Sequence, residues 1–334
     1  MLFFRKIYSF LVAFTLGLIS YPNFANSSIP LSYLANYVKH NSLVIDAKDS
    51  FKLPRHFRTS EMPVPGKKQA EYLKSHGKLP SFHGYHGLKV SASAQFSKRN
   101  ILAALSQMDG KIYIIDLRKE SHGFLNGNAI SWSGKRNWAN EGKTDDFVNT
   151  LELSLFQHLN TLKQISICYF PKVQRTRACK EPDSFNIDTT ETEEQLIKQL
   201  GLEYRRFPVL DKWRPDDQVI DQFLQFIRSL PKNAWLHFHC RGGSGRTTTF
   251  LVMYDIIKNG KNVKLEDIIA RHALAGVRDL QRIPHVKYQE WVTIGALKRL
   301  DVIEKFYKYV CDPEGYSSRS WTEWLNLQKE EFTS

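Results

Sequence analysis

Residues 239–247 read His-Cys-Arg-Gly-Gly-Ser-Gly-Arg-Thr, which sets a thiol, Cys240, and a guanidinium, Arg246, at the two ends of a C-x5-R loop. These types suit a phosphate group that is bound and then attacked by sulfur. A free cysteine titrates near ~8.5, but beside cations and at a helix N-terminus it falls to roughly 4 to 7, which makes a thiolate nucleophile at neutral pH. Arg246 offers a planar fork to two phosphate oxygens. Thr247 places a hydroxyl where it can stabilise the sulfur as a leaving group. Gly242, Gly243 and Gly245 allow successive amides to turn toward an anion, so the loop from Arg241 through Ser244 to Gly245 is itself the expected phosphate cradle.

A second group must give a proton to the departing oxygen. Phe207-Pro208-Val209-Leu210-Asp211-Lys212-Trp213-Arg214-Pro215 reads as a strand ending in a proline-punctuated loop, and Asp211 is its expected general acid, with Lys212 as a cation toward the substrate. Asp216 and Asp217 follow where a helix cap and a first-turn acid are expected. A third block, Ile115 to Gly127, carries Asp116, Arg118, Glu120 and His122 at the end of a strand. Two readings stand for these charges, a pair that holds the loop and direct substrate contact; they are taken as supporting residues, together with His239.

The elements that position these groups follow from the apolar pattern. Ala234 to Phe238 is a short aromatic-rich run, read as a buried strand, and Thr247 to Ile257 is a helix ending at Asn259-Gly260. The loop therefore lies at a helix N-terminus, where unpaired amides and the helix dipole attract anions. Leu265 to Ala275 reads as a further helix closed by Gly276. Another spans about Pro284 to Tyr309, with Val286, Trp291, Ile294, Leu297, Leu300, Ile303 and Phe306 as its buried stripe. Of its lysines, Lys287, Lys298 and Lys305, Lys287 is the one assigned to a distal phosphate.

Taken together, the nucleophile loop, the acid loop and the block Ile115 to Gly127, which continues into Ala129-Ile130-Ser131-Trp132 and Asn137-Trp138-Ala139-Asn140, resemble the bacterial cysteine phytases, the protein-tyrosine-phosphatase-like inositol polyphosphate phosphatases. The likeness spans roughly residues 95 to 310. It implies an α/β fold, a phosphatase core of one central sheet flanked by helices, with a small β-rich partial barrel beside it. It also implies inositol hexakisphosphate and lower inositol phosphates as substrates, without a cofactor. The family often has histidine after the general acid where this chain has Lys212. Two alternatives stay open at this stage: a protein or phosphoinositide phosphatase using the same loop chemistry, and a noncatalytic polyanion-binding module.

Lysine and arginine outnumber aspartate and glutamate by 47 to 34, a net charge of +13, which favours an acidic small-molecule substrate; no nucleic-acid partner is expected. Residues 1–25 read as a secretory signal peptide, with Arg5-Lys6 before an apolar run too short to span a membrane, and no later stretch is long enough to span one. Residues 26–95 are expected to be irregular and packed on the core, 96–310 to form the catalytic domain, and 311–334 to be a tail whose Trp321 and Trp324 dock on the body. Export permits disulfides. Cys240 must remain reduced, so a Cys168–Cys179 bridge, leaving Cys311 free, is the expected pairing, and no metal-ligand spacing is present.

Overall fold

The computed structural model describes residues 29–169, 182–285, 287 and 289–331. In chain order, α1 (Leu31–His40) and β1 (Ser42–Ala47) lead to β2 (Arg58–Thr59), α2 (Gly66–His76), β3 (Val90–Ala94) and α3 (Lys98–Leu105). Three strands follow, β4 (Lys111–Arg118), β5 (His122–Leu125) and β6 (Asn128–Ser133), then α4 (Asp145–Leu159). Next come β7 (Gln164–Tyr169), β8 (Asp183–Asn186), β9 (Thr190–Thr192), α5 (Glu193–Gln199), β10 (Glu203–Val209), α6 (Asp217–Ser229) and β11 (Ala234–Cys240). The chain closes with α7 (Gly245–Asn259), α8 (Leu265–Ala275), α9 (Glu290–Cys311) and α10 (Trp321–Glu331).

One sheet runs β10-β4-β11-β3-β2, with β10, β4, β11 and β3 parallel and the short β2 antiparallel at the edge. Every residue of β11 and of β3 is buried, as expected of central parallel strands covered on both faces. The apolar face of α6, Val219, Ile220, Phe223, Leu224 and Ile227, closes one side. Helix α7 is buried from Arg246 to Ile256, so the nucleophile loop opens onto the most enclosed helix of the fold. Trp321 and Trp324 of α10 are buried in the same core, as expected.

The second sheet, β8-β7-β1-β6-β5-β9, gathers around Leu43, Ile45, Ile130, Trp132, Leu151, Leu155 and Phe156, with α1 and α4 against it. Thr144 caps α4 through its hydroxyl, and Thr192 with Gln195 forms a capping box at α5. The expected β-rich addition is thus present, and it draws a strand from the N-terminal region.

Two expectations change. Residues 29–95 are not irregular: they give β1 to the second sheet and β2 and β3 to the core sheet, so a boundary at 95 would cut a central strand away from β11. Val-Ser-Ala-Ser-Ala reads poorly as a strand because its side chains are small; in the structure Ser91 and Ser93 hydrogen-bond the Trp235 and His237 side chains of β11, and Gly243 packs on the Ser93–Ala94 backbone. Helix α9 begins at Glu290 rather than near Pro284, and its buried face is Val292, Gly295, Ala296, Arg299, Val302, Ile303 and Phe306, while Ile294 and Leu297 are exposed. Of the proposed stripe, Val286 lies outside the described residues, as do residues 1–25 and Cys179. Cys168 is disulfide-bonded, and Cys240 and Cys311 are free.

Candidate active site

The four parallel strands end on one edge of the core sheet. Their C-terminal ends therefore bring together Gln95 after β3, Arg118 and Glu120 at β4, Asp211 after β10, and Cys240 at the end of β11. In open α/β sheets that edge is where ligands bind. A cavity of about 470 Å³ lies there, lined by Cys240, Arg241, Gly242, Ser244, Gly245, Asp211 and Lys212, with Ser133, Arg136, Asn137, Arg278 and Arg299 around them.

Cys240 is buried, and the Thr247 hydroxyl donates to its sulfur at 3.1 Å. Arg246 is 2% exposed; its two terminal nitrogens donate to the Glu120 carboxylate at 2.7 and 2.9 Å, and one also donates to the Val209 carbonyl at 2.9 Å. Asp211 lies 3.2 Å from the same guanidinium, so acid and arginine face each other across the loop mouth. Burial would push the Glu120 carboxyl up, but Arg246 and Arg118 override it and hold the group far below the carboxylate range.

The acid loop is fixed from two sides. The Trp138 indole donates to the Asp211 carbonyl at 2.8 Å. Beneath it, a β-carbon on Gly295 of α9 would stand 2.2 Å from the Lys212 carbonyl oxygen, so only glycine lets the helix approach so closely. Lys212 takes a left-handed φ of 60° and lays its ammonium over Trp291 at 5.1 Å.

Behind the loop lies a connected set of buried charges. Arg118 pairs with Glu120 at 2.9 Å and with Asp46 at 3.0 Å, and donates to Gln95 at 2.6 Å. Asp46 also pairs with Arg241 at 2.8 Å. His122 sits 3.3 Å from Asp116 and 3.4 Å from Glu193, and His239 sits 2.6 Å from Glu193. Burial alone would lower the His122 imidazolium, yet Asp116 and Glu193 raise it to about 9. Burial opposes ionisation of Glu193 as well, but His239 and His122 bring it down to about 2.

Of the residues expected from sequence, Cys240, Arg246, Asp211, Thr247, Lys212 and the loop glycines are brought together. Asp116, Arg118, Glu120, His122 and His239 are buried supports that do not line the cavity, which favours the loop-holding alternative over direct substrate contact. Arg241 lines the cavity, but its guanidinium is engaged by Asp46, Ser133 and Asn137. Lys287 is exposed and does not line it, Lys298 lies over Trp213, and Lys305 pairs with Asp301.

Sequence reasoning missed Arg299. It is 4% exposed, its Cζ stands 3.7 Å from where a β-carbon on Gly245 would lie, and its Nε and Nη1 have no hydrogen-bond partner among the described residues. Burial first, and Arg278 beside it second, lower this guanidinium to about 10. Two arginines crowded on one wall call for an anion between them. The signal available in the sequence was an arginine in register with the apolar positions of an amphipathic helix.

The profile of the protein-tyrosine-phosphatase-like phytases, described as "Inositol hexakisphosphate", matches residues 115–258. A myo-inositol phosphatase of this type from Mitsuokella multacida, solved with myo-inositol-(1,3,4,5)-tetrakisphosphate, superposes with a TM-score of 0.80 at 36% identity, over 87% of this chain and 48% of that one. A phytase of the same type from Bdellovibrio bacteriovorus superposes with a TM-score of 0.64 at 29% identity, over 85% of this chain and 94% of that one. The effector protein hopD2 of Pseudomonas syringae pv. tomato is 28% identical over 252 residues, which is 72% of this chain and 52% of that protein. The chain thus spans about half the length of the Pseudomonas and Mitsuokella relatives.

Proposed function

We propose, since this chain belongs to the protein-tyrosine-phosphatase-like phytase family, that it removes phosphate from inositol polyphosphates through a phosphocysteine intermediate. The observation that carries this reading is the pairing of the Cys240 loop with a wall of guanidiniums, Arg136, Arg278 and Arg299, around one cavity. A single phosphate needs only the loop and Arg246. The additional cations suit a substrate that bears several phosphates in a small volume.

In the first step the Cys240 thiolate attacks phosphorus, the bond to the leaving oxygen breaks, and Asp211 gives that oxygen its proton. In the second step water attacks phosphorus, Asp211 takes the proton, and the sulfur–phosphorus bond breaks with the electron pair returning to Cys240. The Thr247 hydroxyl, already 3.1 Å from the sulfur, stabilises the thiolate as it leaves. Loop amides and Arg246 neutralise the oxygens in transit, so the scheme calls for no metal ion. Residues 1–25 would direct the chain out of the cytoplasm as a cleaved signal peptide.

The test is phosphate release from inositol hexakisphosphate, a phosphotyrosine peptide and a phosphoinositide, with EDTA present and Cys240→Ser as the control. Fast, cysteine-dependent release from the inositol phosphate alone is expected. Preference for peptide or lipid would overturn the substrate, a loss of turnover in EDTA would overturn the metal-free scheme, and inactivity on all three would favour the polyanion-binding alternative.

A further inference from the structure

The segment Arg55 to Arg58, basic but without an assigned role in the reaction above, is wrapped behind the nucleophile loop. The Ala94 amide at the end of β3 donates to the Arg55 carbonyl at 2.8 Å, and β2 begins at Arg58, paired with Ala92. Between them His56 takes a left-handed φ of 61° and brings its Nδ1 to 2.9 Å from the Gly242 carbonyl oxygen. Arg58 donates from Nη1 to the Gly243 carbonyl at 3.1 Å and to the His56 carbonyl at 3.0 Å. Two successive carbonyls of the loop are therefore held from the same side. In a trans peptide the N–H points opposite to the C=O, so the amides of Gly243 and Ser244 are turned away from the brace. Gly242 and Ser244 line the cavity on that other side.

Arg58 is also an unusual charge. It is 8% exposed, its Nη2 has no hydrogen-bond partner, and no carboxylate pairs with it among the described residues. Burial brings its guanidinium down to about 10, while Tyr85 and Cys240 act in the opposite direction. Tyr85 is itself pushed up to about 12 by burial, so it stays neutral near pH 7. The other ionisable neighbours, Lys68, His237 and His272, are bases that the Arg58 charge disfavours. Arg246 and Arg299 are also close enough to Cys240 for their charges to interact with it. Cys240 is the remaining neighbour whose charge interacts favourably with that of Arg58.

We propose that Arg58 is a positioning residue for the nucleophile: it sets the Gly243 peptide so that the Ser244 amide faces the phosphate, and its buried, acid-free positive charge favours the Cys240 thiolate from behind the loop. The proposal rests on Cys240 being the nucleophile, but its test requires no substrate.

The full-length chain with Arg58→Met, which keeps the apolar stem, and with Arg58→Lys, which keeps the charge but not the fork, is alkylated with iodoacetamide, and the Cys240 peptide is followed by mass spectrometry at pH 6 and pH 9. For Arg58→Met the ratio of the two rates, pH 6 over pH 9, is expected to fall about tenfold. Arg58→Lys should keep the parent ratio and yet lose about tenfold in kcat on p-nitrophenyl phosphate, with KM little changed, because the loop carbonyl is released. A folded Arg58→Met with the parent ratio overturns the electrostatic role. Parent kcat in Arg58→Lys overturns the brace, and remains decisive should the methionine variant fail to fold. Failure of the wild-type chain to hydrolyse inositol phosphates would leave the alkylation result standing, so the two conclusions fail separately.

Discussion

Gly243→Ala tests whether the nucleophile loop is held by direct backbone contact with β3. Gly243 has a φ of 62°, and a β-carbon there would stand 2.3 Å from the Ala94 nitrogen and 2.5 Å from the Ser93 carbonyl carbon. Neither is the end of a flexible side chain; both belong to a central strand hydrogen-bonded to β11. Ordinary contact begins at 3.4 Å, so the loop must retreat by about 1.1 Å. The left-handed conformation alone costs alanine roughly 1–2 kcal/mol. A shift of about 1 Å in a reacting group costs on the order of 10²-fold in rate, or about 2.7 kcal/mol of transition-state stabilisation. The expected result is a fall of that size in kcat/KM for both inositol hexakisphosphate and p-nitrophenyl phosphate, with a lowered Tm. Gly242→Ala is the internal control, because nothing lies within 4 Å of its added carbon, and its Tm should match the parent. Should Gly243→Ala keep the parent rate and Tm, contact with β3 is not what fixes the loop.

Three further outcomes follow from the geometry. Trp138→Phe keeps the ring but removes the donor to the Asp211 carbonyl, so kcat should fall by about tenfold, the worth of one hydrogen bond of roughly 1.4 kcal/mol, with KM unchanged; a KM effect alone would contradict it. His122 is held charged to about 9 against an ordinary 6.5, so its stabilisation is fully present below pH 6.5 and is lost as pH rises through about 9. His122→Gln should therefore lower the urea midpoint at pH 6, by up to about 3 kcal/mol in free energy, with the gap to the parent closing by pH 9.5; a gap independent of pH would refute this sign. Arg299→Gln should raise KM for inositol hexakisphosphate more than for p-nitrophenyl phosphate, and equal effects on both would place Arg299 at the scissile phosphate instead.

The chemistry was legible where it is local in sequence. Cys240 to Thr247 is one loop, and Asp211 is marked by the prolines and the strand before it, so residue types and order sufficed. The supports were not legible, because each is a single charge whose partner comes from another element. Glu120 meets Arg246 only when β4 and β11 are parallel neighbours, and Glu193 meets His239 only when α5 starts behind that edge. Helix α9 misled for a related reason: its inward face is set by Gly295 under the acid loop and Arg299 beside Gly245, and neither is apolar and bulky. The small residues of β3 hid a central strand because its end packs under the nucleophile loop, at Gly243, instead of carrying bulky apolar side chains.

Asp46 carries a consequence for how this chain can be taken apart. It belongs to β1 of the second sheet, yet it pairs with both Arg118 and Arg241, one behind the nucleophile loop and one within it. Excising residues 29–50 to obtain a minimal catalytic fragment would take from Arg241 its carboxylate and from Arg118 one of two, leaving Glu120 as the acid for Arg118, at a cost of several kcal/mol by rough estimate. The β-rich part is therefore no detachable module. Transplanting the catalytic core onto another scaffold would require carrying this one aspartate with it, and exchange of parts between relatives should succeed only when both sides of the Asp46 junction come from the same parent.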